Sequence, residues 1–289
     1  MYPTAFGYSA PASLDDVLTL LAEHGEGAKL LAGGHSLIPL MKLRFAQPSY
    51  LVDLGRVAGM KGIARSADAL TIGAMTTHNE IATSTDVAEA LPMLADATRQ
   101  IGDPHVRNRG TIGGSLAHAD PGADLPAVMI AGEAEMTIVG RGGKRVVGAD
   151  QFFLGMLETA LAPDEVLTSV RIPLSPMSRG SAYVKRPHPA SRYALIGVAA
   201  AVRVGSGGKI ESARIGITGM GARAVRAAAA EKLLVGTTGN DETLRAAAAS
   251  VADGVDPHDD LQGDVAYKRQ LAAVFTTRAL AAALRRATA

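Results

Sequence analysis

Two stretches, Ala32-Gly33-Gly34-His35-Ser36 and Thr111-Ile112-Gly113-Gly114-Ser115, decide how this chain is read. Each follows a short apolar run and ends in a hydroxyl residue. Paired glycines let the backbone turn sharply and come close to a ligand with no side chain in the way. Successive amide N–H groups in such a turn form a concavity suited to an anion, and the serine hydroxyl adds a donor. Two such segments can grip a diphosphate from both sides, which implies a dinucleotide-type cofactor.

The flanks place both segments in regular structure. Ser13 ahead of Leu14, Val17, Leu18, Leu20 and Leu21 predicts a capped amphipathic helix, with Asp15 and Asp16 in its first turn and Gly25 and Gly27 closing it. Residues 29–32 then read as a short buried strand, 37–43 as a helical turn or two, and 50–53 as another strand. An anion site after a strand is the arrangement α/β folds favour. From about Met60 the pattern changes to a hairpin (62–64 and 70–74) and helices at 79–82 and 87–100. After the second glycine segment come a helix at 124–131, strands at 135–139 and 144–147 about a Gly-Gly turn, and a strand at 166–172 stopped by Pro173. Pro173-Leu174-Ser175-Pro176-Met177-Ser178 reads as a linker. Beyond it three strands are expected at 181–186, 196–204 and 210–218, with a tight turn at 205–208, then alanine-rich helices at 224–235, 241–252 and 264–287.

Composition narrows the function. At 289 residues the chain can build two or three substructures around buried cores. A net charge of +1, from 29 basic and 28 acidic residues, offers no footprint for nucleic acid or an anionic membrane. With no cysteine, the chain cannot itself carry a disulfide, a cysteine-held iron–sulfur cluster or a cysteine nucleophile. The seven histidines are scattered and make no metal site. No apolar stretch is long enough to span a bilayer, and the N-terminus lacks the pattern of a secretory signal. A soluble cytoplasmic setting is expected, with room for peripheral association at the inner membrane face. Neither glycine segment has the G-x-G-x-x-G spacing of a Rossmann site, and there is no P-loop or nucleophile elbow.

Residues 31–42, Leu-Ala-Gly-Gly-His-Ser-Leu-Ile-Pro-Leu-Met-Lys, and 110–126, Gly-Thr-Ile-Gly-Gly-Ser-Leu-Ala-His-Ala-Asp-Pro-Gly-Ala-Asp-Leu-Pro, closely resemble the two FAD loops of the medium subunits of molybdenum hydroxylases. The resemblance is strongest to the aerobic carbon monoxide dehydrogenase type, and it extends to residues 73–78 and 266–269. It implies an α+β, FAD-binding fold of the vanillyl-alcohol oxidase/CO dehydrogenase flavoprotein type. The implied subdomains are an N-terminal one (1–55) and a middle one (56–173), both α/β and together holding FAD, and a C-terminal one (178–289) with a three-stranded antiparallel sheet and helices.

Carried over residue by residue, the resemblance puts Ala32, Gly33, Gly34, His35 and Ser36, with Thr111, Ile112, Gly113, Gly114 and Ser115, around the pyrophosphate. Asp124 would meet the cofactor's polar chain, though aspartate equally caps a helix beginning near Leu125. Ile101 and Leu167 would touch the rings, Lys185 would stand near the flavin as a cation, and Tyr193 would lie by the isoalloxazine. Thr77 and His78 are further lining residues. FAD is expected without a covalent bond at His35, and no residue of this chain is expected to act as a catalytic acid or base. The implied partners are a small iron–sulfur subunit with [2Fe-2S] clusters and a large subunit with the molybdenum cofactor, in a dimer of heterotrimers. The implied role is electron transfer to quinone or another acceptor. A free-standing flavin oxidoreductase acting on a small organic substrate, and a non-enzymatic assembly scaffold, are the other readings.

Overall fold

In the computed structural model, which describes residues 2–261 and 263–289, the chain begins as a small parallel sheet. Strands β1 (Gly7–Ser9) and β2 (Ala28–Leu31) flank β3 (Tyr50–Asp53), and helices α1 (Leu14–His24) and α2 (Leu37–Lys42) complete the unit. Ser13 caps α1 as expected, its hydroxyl accepting from the Asp16 amide. Strand β1 has no apolar run to announce it. It exists because Gly7, Tyr8 and Ser9 pair with Tyr50, Leu51 and Val52 from far along the chain. Strand β2 is only half-buried, against the expectation of a buried one.

The next unit is built on a five-stranded sheet in the order β4-β5-β10-β6-β7, antiparallel at every pairing. Its strands are β4 (Ile63–Arg65), β5 (Ala69–Gly73), β6 (Glu135–Gly140), β7 (Gly143–Gly148) and β10 (Val166–Pro173). Helices α3 (His78–Thr83), α4 (Thr85–Ala90), α5 (Pro92–Gln100), α6 (Pro104–Arg107), α7 (Ile112–His118) and α8 (Asp124–Ala131) run between β5 and β6. The single helix expected over 87–100 is two, because Pro92 cannot continue α4 and starts α5 at its first position. A short helix α9 (Ala149–Phe152) and the hairpin β8 (Phe153–Gly155) and β9 (Glu158–Thr159) follow β7.

The expected linker is partly ordered. Ser175 and Ser178 form a capping box around α10 (Pro176–Arg179). The last unit has β11 (Ser181–Pro187), β12 (Ala194–Val204) and β13 (Ile210–Thr218) in antiparallel order. A two-residue fourth strand, β14 (Val225–Arg226), extends the three-stranded sheet that was expected. Helices α11 (Ala228–Leu234), α12 (Asp241–Ala249) and α13 (Val265–Ala287) cover one face of it. Helix α8 is buried at every residue, because the middle core lies on one side and β12 and β13 on the other. That explains why it lacks the polar stripe of a surface helix. Among the described residues no helix is long and apolar enough to cross a membrane.

Candidate functional site

The first glycine segment leaves β2 and enters α2. Gly34 has φ +78°, a left-handed conformation that glycine adopts without strain. Gly33 is glycine for a different reason. A Cβ there would stand 2.2 Å from the Arg109 carbonyl oxygen and 2.8 Å from the Gly110 Cα. The two glycine segments therefore touch backbone to backbone. The carbonyls of Gly34 and Ser36 accept from Ile38 and Leu40 to start α2. Among the described residues no protein acceptor takes the amide N–H groups of Gly33, Gly34, His35 or Ser36. Gly33, Gly34 and Ser36 are half-exposed and His35 is exposed, so these donors at one turn make a ready site for an anion.

The second segment differs from the sequence reading. It is no loop but the first turn of α7, with Thr111 as N-cap accepting from the Gly114 amide at 3.1 Å. Three more of its amides are occupied: Ile112 donates to the Thr76 carbonyl (3.0 Å), Gly113 to that of Ala74 (2.8 Å) and Ser115 to that of Thr111 (3.0 Å). Gly113 has no room for a side chain, since a Cβ would lie 2.5 Å from that of Ala74. This segment thus shapes the wall behind the first one, with four of its five amides taken by protein acceptors.

Residues 74–78 run alongside. Thr77 bridges Thr111 in the antiparallel sense and caps α3 in a reciprocal box with Glu80. The His78 amide donates to the Gly110 carbonyl, and its ring packs where a side chain on Gly110 would otherwise be. The His78 Nδ1 is buried with no hydrogen-bond partner. Burial, reinforced by the nearby His35 and Arg107, pulls this imidazole down to about 4.

The third wall comes from the C-terminal unit. Asp124 is the first residue of α8, one position later than a capping role requires; Ala123 holds the cap position without a side-chain bond. The Asp124 carboxylate instead accepts from the Tyr183 hydroxyl and, at 2.9 Å, from Lys185 Nζ. Side-chain exposures of 1 % for Lys185 and 5 % for Asp124 make this a buried ion pair. Desolvation pushes the Asp124 carboxyl up, opposed by Lys185 and Tyr183. Burial beside that carboxylate raises the Tyr183 phenol well above its ordinary value. Lys185 also donates to the Arg192 carbonyl at 2.7 Å. Next to it Tyr193 is 39 % exposed, its phenol raised by partial burial and by Asp120 and lowered in part by the nearby Ser36.

Not all the expected residues open onto this space. Leu167 is 5 % exposed and belongs to the core at a bulge in β10, whereas Ile101 is half-buried at the end of α5. Asp120 closes a turn by accepting from the Gly122 amide, and His118 ends α7. Tyr183 and Arg192 were not foreseen. The i, i+2 spacing of Tyr183 and Lys185 on one face of β11 was the available signal for the first. A carbonyl acceptor such as that of Arg192 carries no sequence signal. Two surface grooves, of about 530 and 500 Å³, are lined by none of these residues.

The family described as the FAD binding domain in molybdopterin dehydrogenase matches residues 4–175, and the CO dehydrogenase flavoprotein C-terminal domain matches 181–283. The chain belongs to this family. It is an FAD-binding subunit of the molybdenum hydroxylase class and an FAD-dependent oxidoreductase subunit. The carbon monoxide dehydrogenase medium chain of Hydrogenophaga pseudoflava is 42 % identical over 98 % of both chains. The 6-hydroxypseudooxynicotine dehydrogenase complex subunit alpha of Paenarthrobacter nicotinovorans is 37 % identical, covering 99 % of this chain and 97 % of its own. The solved carbon monoxide dehydrogenase of H. pseudoflava superposes with a TM-score of 0.94 at 44 % identity over 99 % of each chain. Quinoline 2-oxidoreductase of Pseudomonas putida 86 does so at 0.94 and 37 %, over 100 % of each. The geometry fits the cofactor: among the described residues the amides of 33–36 have no protein acceptor, and two of the four residues are glycines that bring no side chain, which suits a pyrophosphate.

Proposed function

We propose that this chain is the electron-transfer subunit of a heteromeric molybdenum hydroxylase of the aerobic carbon monoxide dehydrogenase type. It takes electrons from [2Fe-2S] clusters on a small partner subunit and passes them to quinone or another external acceptor. The molybdenum cofactor resides on a large partner, and the complex is a dimer of heterotrimers. The observation that carries this reading is the turn at residues 33–36, whose amides have no protein acceptor among the described residues.

Bound FAD supplies the two-electron chemistry, and the protein supplies placement and tuning. The turn and the Ser36 hydroxyl hold the pyrophosphate without a covalent bond. Thr77 and residues 111–115 back it, and Ile101 faces the rings from the apolar side, with Leu167 in the core behind. Asp124, Lys185 and Tyr193 bound the flavin end. The subdomains 1–55, 56–173 and 178–289 meet around this site. Similar chains serve complexes named for carbon monoxide, 6-hydroxypseudooxynicotine and quinoline, so substrate choice falls to another subunit. The test is reconstitution with cluster-bearing and molybdenum-bearing partners. Substrate oxidation should couple to dye reduction only when this chain carries FAD, and coupling with a flavin-free chain would reject the reading.

A further inference from the structure

We propose that Lys185 is a positioning residue: with Asp124 and Tyr183 it latches the turn between β11 and β12, and so holds Tyr193 beside the amide cradle of residues 33–36. The proposal rests on the FAD reading of that cradle for its consequence, but not for its geometry. Lys185 lies inside the protein and spends two of its donors on protein groups, the Asp124 carboxylate at 2.9 Å and the Arg192 carbonyl at 2.7 Å. A buried ammonium with both bonds made has a defined place and defines theirs. Arg192 has φ +60°, a conformation that costs a side-chain-bearing residue free energy and persists only where its surroundings impose it. The Lys185 bond to its carbonyl is one such constraint.

The rest of the turn is organised around the same point. The His188 ring nitrogen Nδ1 accepts from the amides of Ala190 and Ser191, and its carbonyl accepts from Arg192. The Tyr193 carbonyl accepts from His188, and the Ala194 amide donates to the Gly122 carbonyl. Gly122 lies against the Tyr193 Cβ, and the Tyr193 phenol lies in the neighbourhood of Ser36. On the far side, Tyr183 donates to the second Asp124 oxygen, so the anion at the base of the latch is held from two directions. A chain of contacts thus runs from the start of α8 through Lys185 to an aromatic ring at the first glycine segment. It joins all three units of the protein.

The experiment compares wild type with Lys185→Met, Lys185→Gln, Tyr193→Ala and the double variant Lys185→Met/Tyr193→Ala, all as full-length chains. Hydrogen exchange is read first, without cofactor. Lys185→Met should speed amides 188–194 by about tenfold, the equivalent of one lost hydrogen bond, while β12 and β13 stay unchanged. Lys185→Gln keeps a donor and should restore most of the protection; it also serves as the folded variant should the methionine form fail to fold. FAD affinity and bound-flavin fluorescence are read next. Lys185→Met should weaken binding and raise fluorescence to the same degree as Tyr193→Ala, and the double variant should be no worse than either. Unchanged exchange at 188–194 overturns the latch. So do binding losses that add in the double variant, because Lys185 would then act on the cofactor directly. Failure of the wild type to bind FAD with its partner subunits present would instead count against the cofactor reading, and leave the exchange result standing.

Discussion

His78 shows how one buried side chain carries a stability cost. Its imidazole titrates near 4 in the fold, against an ordinary value of 6.5. The unfolded chain therefore binds the proton first as pH falls. Stability from this group is complete above 6.5 and is lost between 6.5 and about 4. The loss is at most about 3 kcal/mol, since each tenfold difference in proton affinity between the two states is worth about 1.4 kcal/mol. The melting temperature of the wild type should fall through that window, and His78→Gln should flatten this component. Equal slopes in the two proteins would show another group to be responsible. Gly33 makes a second residue-scale prediction. A Cβ 2.2 Å from a backbone oxygen cannot be accommodated by rotating a side chain, so the two segments must separate. Gly33→Ala should cost about 1–3 kcal/mol and weaken FAD uptake, measured by flavin absorbance, by at least about tenfold.

At the scale of elements, the helix caps separate structure from site. Ser13 and Thr111 both cap helices by accepting a main-chain N–H, from Asp16 and Gly114. Ser13→Ala and Thr111→Val should each cost about 1 kcal/mol in denaturant unfolding. Only Thr111→Val should also lower FAD affinity, since α7 backs the first segment; equal affinities would place α7 outside the site. The same elements show what local pattern can reveal. Helix α1 was legible because cap, acidic first turn and apolar spacing all agree, and the hairpin of β6 and β7 because a Gly-Gly turn separates two strand-like runs. Strand β1 was not legible, since its three residues are a strand only against Tyr50, Leu51 and Val52. The second glycine segment misled because glycines usually mark loops. Here they are helical residues, and Gly113 is kept small by Ala74 on the neighbouring segment.

For the whole molecule, the decisive joint is that between the middle and C-terminal units. Arg214 of β13 crosses it and is only 8 % exposed. It donates to the Ile130 carbonyl at 3.1 Å, to Glu133 at 3.0 Å and to Asp150 at 2.5 Å. Arg214→Met takes this donor from a carbonyl and two carboxylates. The expected loss is about 2–3 kcal/mol, because both acids remain half in water. Denaturant titration should show a lower midpoint with an unchanged slope; an unaltered midpoint would mean that apolar packing of α8 alone holds the joint. Arg286 of α13 makes a second crossing to Asp96 of α5.

By itself the sequence determined the order of most elements, the sharp turn at 33–36 and the family, because each rests on local pattern or on a run of neighbouring residues. Tertiary structure alone decided which amides are free. A donor in one segment is occupied or available according to what another segment brings to it: the Thr76 and Ala74 carbonyls take the amides of Ile112 and Gly113 in the second segment. It also decided the partners of Asp124 and Lys185, whose charges could have faced a ligand and instead face each other. Residues 61 positions apart meet there only after two units have packed, and burial then makes their pairing obligatory.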